Sequence, residues 1–330
     1  MKEPANLFAQ QERNRRRSAL LIAGFVLFFA WIGFGGDLSW YLATRDLPPE
    51  QYHHVIPFAG LITTAMAGGV AWYSWRHGAE RVLGATAARE LLAPETPGEQ
   101  RLANIVDEMA NASGQPRPRL WIVEDNDPNA FATGRGPGIA HIAVTSGLLD
   151  TLDRDELQGV VAHEMAHIRN LDVRLMTLLA AMVGVVALLS ESMGRMMRHG
   201  FRGKSNKKGN PLALVVLVLW LLSLVFAPVI TRLLAMGVSR KREYLADATG
   251  AQFTRNPEAL ARALEKIEAV STATKSITRG VGHMCIVDPG ERKLSARPGR
   301  LGDLFASHPP IVERISRLRA MAYTERGKDS

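Results

Sequence analysis

Cysteine is all but missing: Cys285 is the single one among 330 residues. An intrachain disulfide is therefore excluded, and the composition fits a catalytic domain facing a reducing compartment. Acidic residues are outnumbered, 32 against 40 Lys and Arg, leaving a net charge of +8 and an isoelectric point near 9.9. No nucleic-acid-binding signature accompanies that excess. The basic residues cluster beside apolar runs, which points to topology signals and anionic lipid before RNA or DNA. Absent too is an Ala-x-Ala site closing the first apolar run, so a retained anchor is expected and not a cleaved signal peptide.

A mean hydropathy of −0.02 conceals alternating apolar and charged blocks. Residues 1–18 form a basic, polar tail ending in Arg13-Asn14-Arg15-Arg16-Arg17. Residues 19–77 hold two apolar stretches, Ala19 to Gly36 and Val55 to Trp75, around a short polar loop. Each is long enough to span or nearly span roughly 30 Å of hydrocarbon. Trp31, Trp40, Trp72, Tyr73 and Trp75 suit interfacial belts. The leading arginines place the N-terminus in the cytoplasm, and a hairpin returns the chain there. Residues 171–232 hold two more apolar runs, Leu171 to Leu189 and Leu212 to Ile230, joined by a basic loop over 191–210. Two readings stand for this pair: it crosses the membrane as a second hairpin, or it is a helical pair buried in protein or only partly inserted. The whole reads as an integral membrane protein with about four apolar helices.

The remaining residues, 78–170 and 233–330, make the two halves of one soluble domain. The first half contains His163-Glu164-Met165-Ala166-His167. On an α-helix, residues four apart share a face with Cβ atoms about 5–6 Å apart, so both imidazoles can reach one metal ion. Glu164 falls beside that ion, where it can act as a base on water, the pattern of a zinc metalloprotease. A capping box at Asp153 and Glu156, with Leu157, Val160, Val161 and Ile168 as an apolar stripe, predicts the helix. Catalytic zinc keeps three protein ligands and one open position. The stretch Ser239 to Asp247 offers Glu243 as the third ligand, with Asp247 one turn on as an acceptor that orients an imidazole. A solvated acid pair balancing Arg240, Lys241 and Arg242 is the other reading. If Glu243 does complete the site, the apolar runs before it cross as a hairpin or not at all.

The fold class expected around this helix is α+β, mainly helical, with a small sheet. Thr96, Pro97 and Glu99 open a helix carrying Leu102, Ile105, Val106 and Met109 on one face. Leu120 to Val123 and Ile139 to Val144 read as strands, with Asn129 to Gly134 as an edge segment. Asn129, Ala130, Phe131 and Ala132 on such an edge would pair with the main chain of an extended peptide, although an ordinary sheet edge is the plainer reading. Asn256-Pro257-Glu258 opens a helix bearing Leu260, Leu264 and Ile267. Ser271 to Ala306 reads as a loop near the site or a plain insertion, with Cys285 a buried or idle thiol. His308 precedes a last helix bearing Ile315, Leu318 and Met321; it or Arg314 could donate to a developing oxyanion, and His308 could equally cap that helix.

His-Glu-Met-Ala-His together with Glu243-Tyr244-Leu245-Ala246-Asp247 resembles the HtpX-type membrane zinc metalloproteases, relatives of the CAAX prenyl endopeptidases. Pro128 to Gly134, Ala143 to Leu149 and Ser307 to Ile315 match the same family in the same order, so the resemblance covers roughly residues 15 to 320. It implies a zincin-like domain with one zinc per chain held by His163, His167 and Glu243. Glu164 would be catalytic and the edge strand would hold substrate. It further implies endoproteolysis of misfolded or damaged membrane proteins at the cytoplasmic face of the inner membrane, a quality-control role in stress. Polypeptides and the lipid bilayer would be the partners. Two alternatives are a CAAX-type prenyl-protein endopeptidase and an inactive, zinc-stabilised scaffold or chaperone that binds extended segments. Against the scaffold stands Glu164, because a purely structural site has no use for a base beside the metal.

Overall fold

The computed structural model describes residues 7–45, 48, 50–51, 54–180, 218, 222, 240–270, 282–287 and 308–326. The chain divides into two compact units, one of residues 1–16, 77–181 and 234–330 and one of residues 17–76 and 182–233.

In the larger unit, β1 (Arg89–Glu90), β2 (Arg119–Val123), β3 (Ala130–Gly136) and β4 (Ile139–Thr145) form one sheet in the order β1-β2-β4-β3. β2 and β4 are parallel; the other two pairings are antiparallel. β4 lies between two neighbours and is buried from Ala140 onward, as a central strand's continuous apolar run requires. β3 is left at an edge. The register between β3 and β4 shifts between Gly134 and Gly136, whose φ values are +138° and +149°. A Cβ at Gly134 would fall 2.2 Å from the Ile139 carbonyl oxygen, so only glycine closes this hairpin.

The helices follow their sequence signals. α3 (Pro97–Ser113) starts at Thr96, whose hydroxyl accepts from the Glu99 N–H, and stops at Gly114 in the left-handed conformation. α4 (Ser146–Thr151) is a short helix that propensity alone does not announce. α5 (Arg154–Arg169) carries the histidine pair, and both arms of the Asp153–Glu156 capping box are made, at 2.9 and 3.0 Å. Beyond it come α6 (Arg240–Thr254), α7 (Pro257–Ala269) and α8 (Ile311–Arg326). α5 is the hub, packing against α3, α6, α7 and β3. Leu102, Ile105, Leu120, Ile142, Leu157, Val160, Leu264 and Ile267 belong to one core cluster around it. Each such burial contributes roughly 1.5–3 kcal/mol, which is what fixes α5 in place. Glu156, buried at the head of α5, takes Lys266 Nζ at 2.7 Å and so ties α7 to it.

The described part of the smaller unit includes α1 (Leu7–Thr44) from Arg17 on and α2 (Phe58–Ala85) as far as Arg76. The two helices meet at glycines: a Cβ on Gly33 would lie 2.7 Å from Ala59 O and Gly60 Cα. Asp37 accepts from the Ala59 and Gly60 N–H groups at 3.2 and 2.6 Å, satisfying the first turn of α2 from the neighbouring helix. Leu20, Leu27 and Trp72 are 71%, 69% and 66% exposed, an apolar surface that suits lipid and not water.

Among the described residues only α1, over Gln11–Leu42, is long and apolar enough to cross a membrane. Of the about four apolar helices expected, α1 alone meets that test among the described residues, and most of the second pair lies outside them. α2 is helical but diluted by Thr63, Thr64, Gly68, Gly69 and Ser74. Of the run from Leu171 to Leu189, residues 172–180 are helical, and Leu171, Val173, Leu175, Leu178 and Leu179 are buried in protein. Its remainder lies outside the described residues. So do the basic loop over 191–210, most of 212–230, and all of 271–306 except 282–287.

Candidate metal centre

α5 and α6 together bring His163, His167 and Glu243 to one point, with one ligand atom from each lying within 4.8 Å of the others. The Nε2 atoms of His163 and His167 are 3.1 Å apart. Glu243 Oε2 lies 3.6 Å from the first and Oε1 3.6 Å from the second. Tetrahedral zinc, with bonds of about 2.0–2.2 Å, sets its ligand atoms roughly 3.3–3.5 Å apart, so this triangle is of the right size. Glu243 is buried, and its Oε2 has no aligned hydrogen bond among the described residues. A buried carboxylate oxygen left in that state facing two imidazole nitrogens suits a cation between them. The close crossing depends on Gly250, where a Cβ would come 3.1 Å from the His163 N and 3.2 Å from the Ala162 carbonyl carbon.

The outward nitrogen of each imidazole meets a carboxylate. His163 Nδ1 lies 2.9 Å from Asp247 Oδ1, and His167 Nδ1 lies 3.1 Å from Asp172 Oδ2. The His167–Asp172 contact is a hydrogen bond, whereas Asp247 stands close to His163 Nδ1 without an aligned one; a carboxylate behind each ring, with Nε2 turned inward, is the arrangement that metal-ligating histidines use. Burial pushes the His163 imidazole down, but the Asp247 and Glu243 carboxylates outweigh it and raise it to about 9. Burial pushes Asp247 up, and the Arg314 guanidinium with His163 more than reverses this, to about 2. Glu243 is likewise driven upward by burial, yet His308 and His167 hold it well below the ordinary carboxylate range. Glu164 behaves in the opposite way: burial raises it above an ordinary glutamate despite His163 and His167 nearby. A carboxylate so placed is a better base than one in water.

The cleft over this triangle is open to solvent and is lined by Glu164, Ala132, Met176, Met284, Cys285 and His308 as well as the three ligands. His308 Nδ1 stands 3.2 Å from Glu243 Oε2, placing it at the centre itself. Arg314 is fully buried and donates to both oxygens of Asp247, at 3.0 and 2.8 Å, and to Ile286 O at 3.1 Å. Its guanidinium also lies 3.4 Å from His163 Nε2. The arginine therefore braces the outward acid and is not directed at open space. The edge strand runs beside the cleft through Ala132, but its outer side is partly covered. Ile286 N–H donates to Ala130 O at 2.9 Å, Phe131 bridges to Cys285, and Asn129 Nδ2 donates to Val287 O at 2.8 Å. Reading by sequence did not find Asp172, Arg242, Met284 or the place of Cys285. Asp172 alone had a local signal, an acid five residues past the second histidine.

Two helix-borne imidazoles four residues apart, a glutamate between them and an acid from a second helix are how metallopeptidases are built. The model of Peptidase family M48 matches residues 98–322, and the chain belongs to that family. Over 317 residues it is 36% identical to a protein named Protease HtpX homolog from Streptococcus uberis, covering 96% of this chain and all of that one. Another of the same name, from Caldanaerobacter subterraneus subsp. tengcongensis, is 43% identical over 221 residues, 67% of this chain and 71% of its own. Among solved structures, the crystal structure of S. mikatae Ste24p matches with a TM-score of 0.45 and 16% identity, over 96% of this chain and 66% of that one. Family membership and the apolar α1 make the chain a membrane metalloprotease.

Proposed function

We propose that the chain is a zinc endopeptidase, with one metal per chain, that cuts misfolded or damaged polypeptides, membrane proteins foremost, as a quality-control enzyme. His163, His167 and Glu243 would be the ligands. The observation carrying this reading is the meeting of those three side chains beside a buried Glu164. When bound there, zinc supplies Lewis-acid polarisation to the scissile carbonyl and the attacking water. Glu164 takes the proton of that water and passes it to the leaving amine. Asp247 and Asp172 keep the two imidazoles in the ligating tautomer. His308, on the cleft wall, donates to the oxyanion, while Arg314 serves through Asp247. An extended substrate aligns with β3 near Ala132, and at Ala130 and Phe131 it competes with the segment Gly282–Val287. The arginines in the first turns of α1, ahead of its apolar stretch, put the N-terminus and the catalytic unit in the cytoplasm, with α1 and α2 as a membrane hairpin.

Glu164→Gln tests this most directly. Casein hydrolysis in detergent should fall by about 10³-fold, within the range expected for loss of a general base, while bound zinc by metal analysis stays the same. Retained turnover removes Glu164 as the base. Zinc binding by the wild type without any cleavage would instead favour the scaffold, and cleavage insensitive to chelator would refute a metal-dependent reaction.

A further inference from the structure

His167 sits in the last turn of α5, where the helix's own hydrogen bonds give out. The chain leaves through Asn170 and then Leu171, a branched residue at φ +59°. That left-handed step is unfavourable for leucine and persists only where the surroundings enforce it. Its consequence is to bring Asp172 back under the imidazole, with Oδ2 3.1 Å from His167 Nδ1.

What enforces it comes from the first turns of α1. Asn14 is fully buried, and its one amide group pins both ends of the turn. Nδ2 donates to Asn170 O at 2.8 Å and to Asp172 Oδ1 at 2.7 Å, one hydrogen for each acceptor. Asp172 is thus held from the side away from His167, where Arg242 Nη1 also stands 3.8 Å from Oδ1. Gln11, one turn earlier, donates to Arg169 O at 2.8 Å and makes no such bond to Asp172. In the sequence Asn14 is one polar residue inside a run of arginines. In the fold it is a buried donor one step removed from a candidate metal ligand.

We propose that Asn14 is a positioning residue that acts through Asp172 to set the orientation of His167, so that the first turns of α1 belong to the metal centre. This rests on the zinc-ligand reading given above. Outer partners of ligating histidines typically govern metal affinity by about 10–100-fold, and Asn14 stands one bond beyond such a partner.

The test is the zinc Kd of the full-length, metal-stripped protein in detergent, measured by competition with a chromophoric chelator. Asp172→Ala should weaken zinc by about 10–100-fold and Asn14→Ala by about tenfold. The double variant should be no weaker than Asp172→Ala alone, since one residue acts through the other. Gln11→Ala, which removes a neighbouring bond between the same helices, should leave the Kd within about twofold. Asn14→Asp keeps the side chain's size but loses the donor and faces Asp172 with like charge, so it should bind zinc at least as poorly as Asn14→Ala. Equal losses in the Asn14 and Gln11 variants, full additivity with Asp172→Ala, or unchanged binding in either Asn14 variant would overturn the proposal. Glu243→Ala separates the two questions: wild-type affinity there sinks the ligand reading. Loss there with unaffected Asn14 variants sinks only the role of Asn14.

Discussion

Asp37 in the α1–α2 unit and Glu243 at the metal centre are both buried carboxylates within reach of histidine, and their surroundings differ in kind. Asp37 accepts from two backbone N–H groups at the start of α2 and lies 2.6 Å from His54 Nε2. Every one of those donors belongs to the architecture, and together they close the end of a helix. Among the described residues no backbone group donates to Glu243, and its charged neighbours at 3.2–3.7 Å are His163, His167, His308 and Arg314. Its Oε2 lacks an aligned hydrogen bond, and both imidazoles turn the nitrogen not held by a carboxylate toward it. A buried acid whose lone pairs are met by the backbone holds a fold together. One that meets converging imidazole nitrogens is built to share a cation with them.

The contrast can be broken by paired substitutions. Glu243→Ala should weaken zinc by more than the roughly 10–100-fold that losing an outer partner costs, read by chelator competition. Asp37→Asn should leave zinc affinity within about twofold while lowering thermal stability, as the loss of a charged acceptor for buried N–H groups predicts. Equal effects on zinc would show that the two acids are not doing different things.

The glycine crossings sharpen the same comparison. Gly250→Ala sets a methyl group 3.1 Å from the His163 backbone, forcing α6 away from α5. A cost of about 1–3 kcal/mol in unfolding and a weaker zinc Kd should appear together. Gly33→Ala collides with the backbone of α2, 2.7 Å from Ala59 O, and should destabilise without altering zinc affinity.

The smallest expected effect is on the pH profile. In the proposed reaction Glu164 works as a carboxylate, and burial raises its pKa above the ordinary 4.5. A raised pKa keeps the proton on at higher pH, so hydrolysis is complete above the raised value and lost as pH falls through it. Half-activity at zinc saturation should therefore come above pH 4.5 on the acid side, with metal content followed in parallel. An acid limb at or below the ordinary glutamate value would contradict the buried base.

Much of this was legible because it is local. The His163–His167 spacing, the capping box at Asp153 and the Thr96-Pro97 opening of α3 all lie within one or two turns of chain. Hydrogen-bond periodicity and dihedral preference act over that range. Hydropathy left the run from Leu171 open between crossing the membrane and lying in protein, because it counts apolar residues without knowing what covers them; Leu171, Val173, Leu175, Leu178 and Leu179 are buried in protein. Cys285 read as a buried or idle thiol; it is buried, and it lines the cleft because its segment pairs with a strand far away along the chain. Asn14 and Asp172 are 158 residues apart, and no periodicity connects them.

Sequence by itself determined which side chains can do the chemistry, since two imidazoles and a base at fixed helical spacing need only one helix to line up. Tertiary structure alone decided that α6 crosses α5 at a glycine so that Glu243 reaches them. It also decided that Asp247 and Asp172 stand behind the rings, and that the start of α1 secures one of those acids. These are contacts between elements distant in the chain, settled by which apolar faces bury each other and by where a missing side chain lets backbones approach.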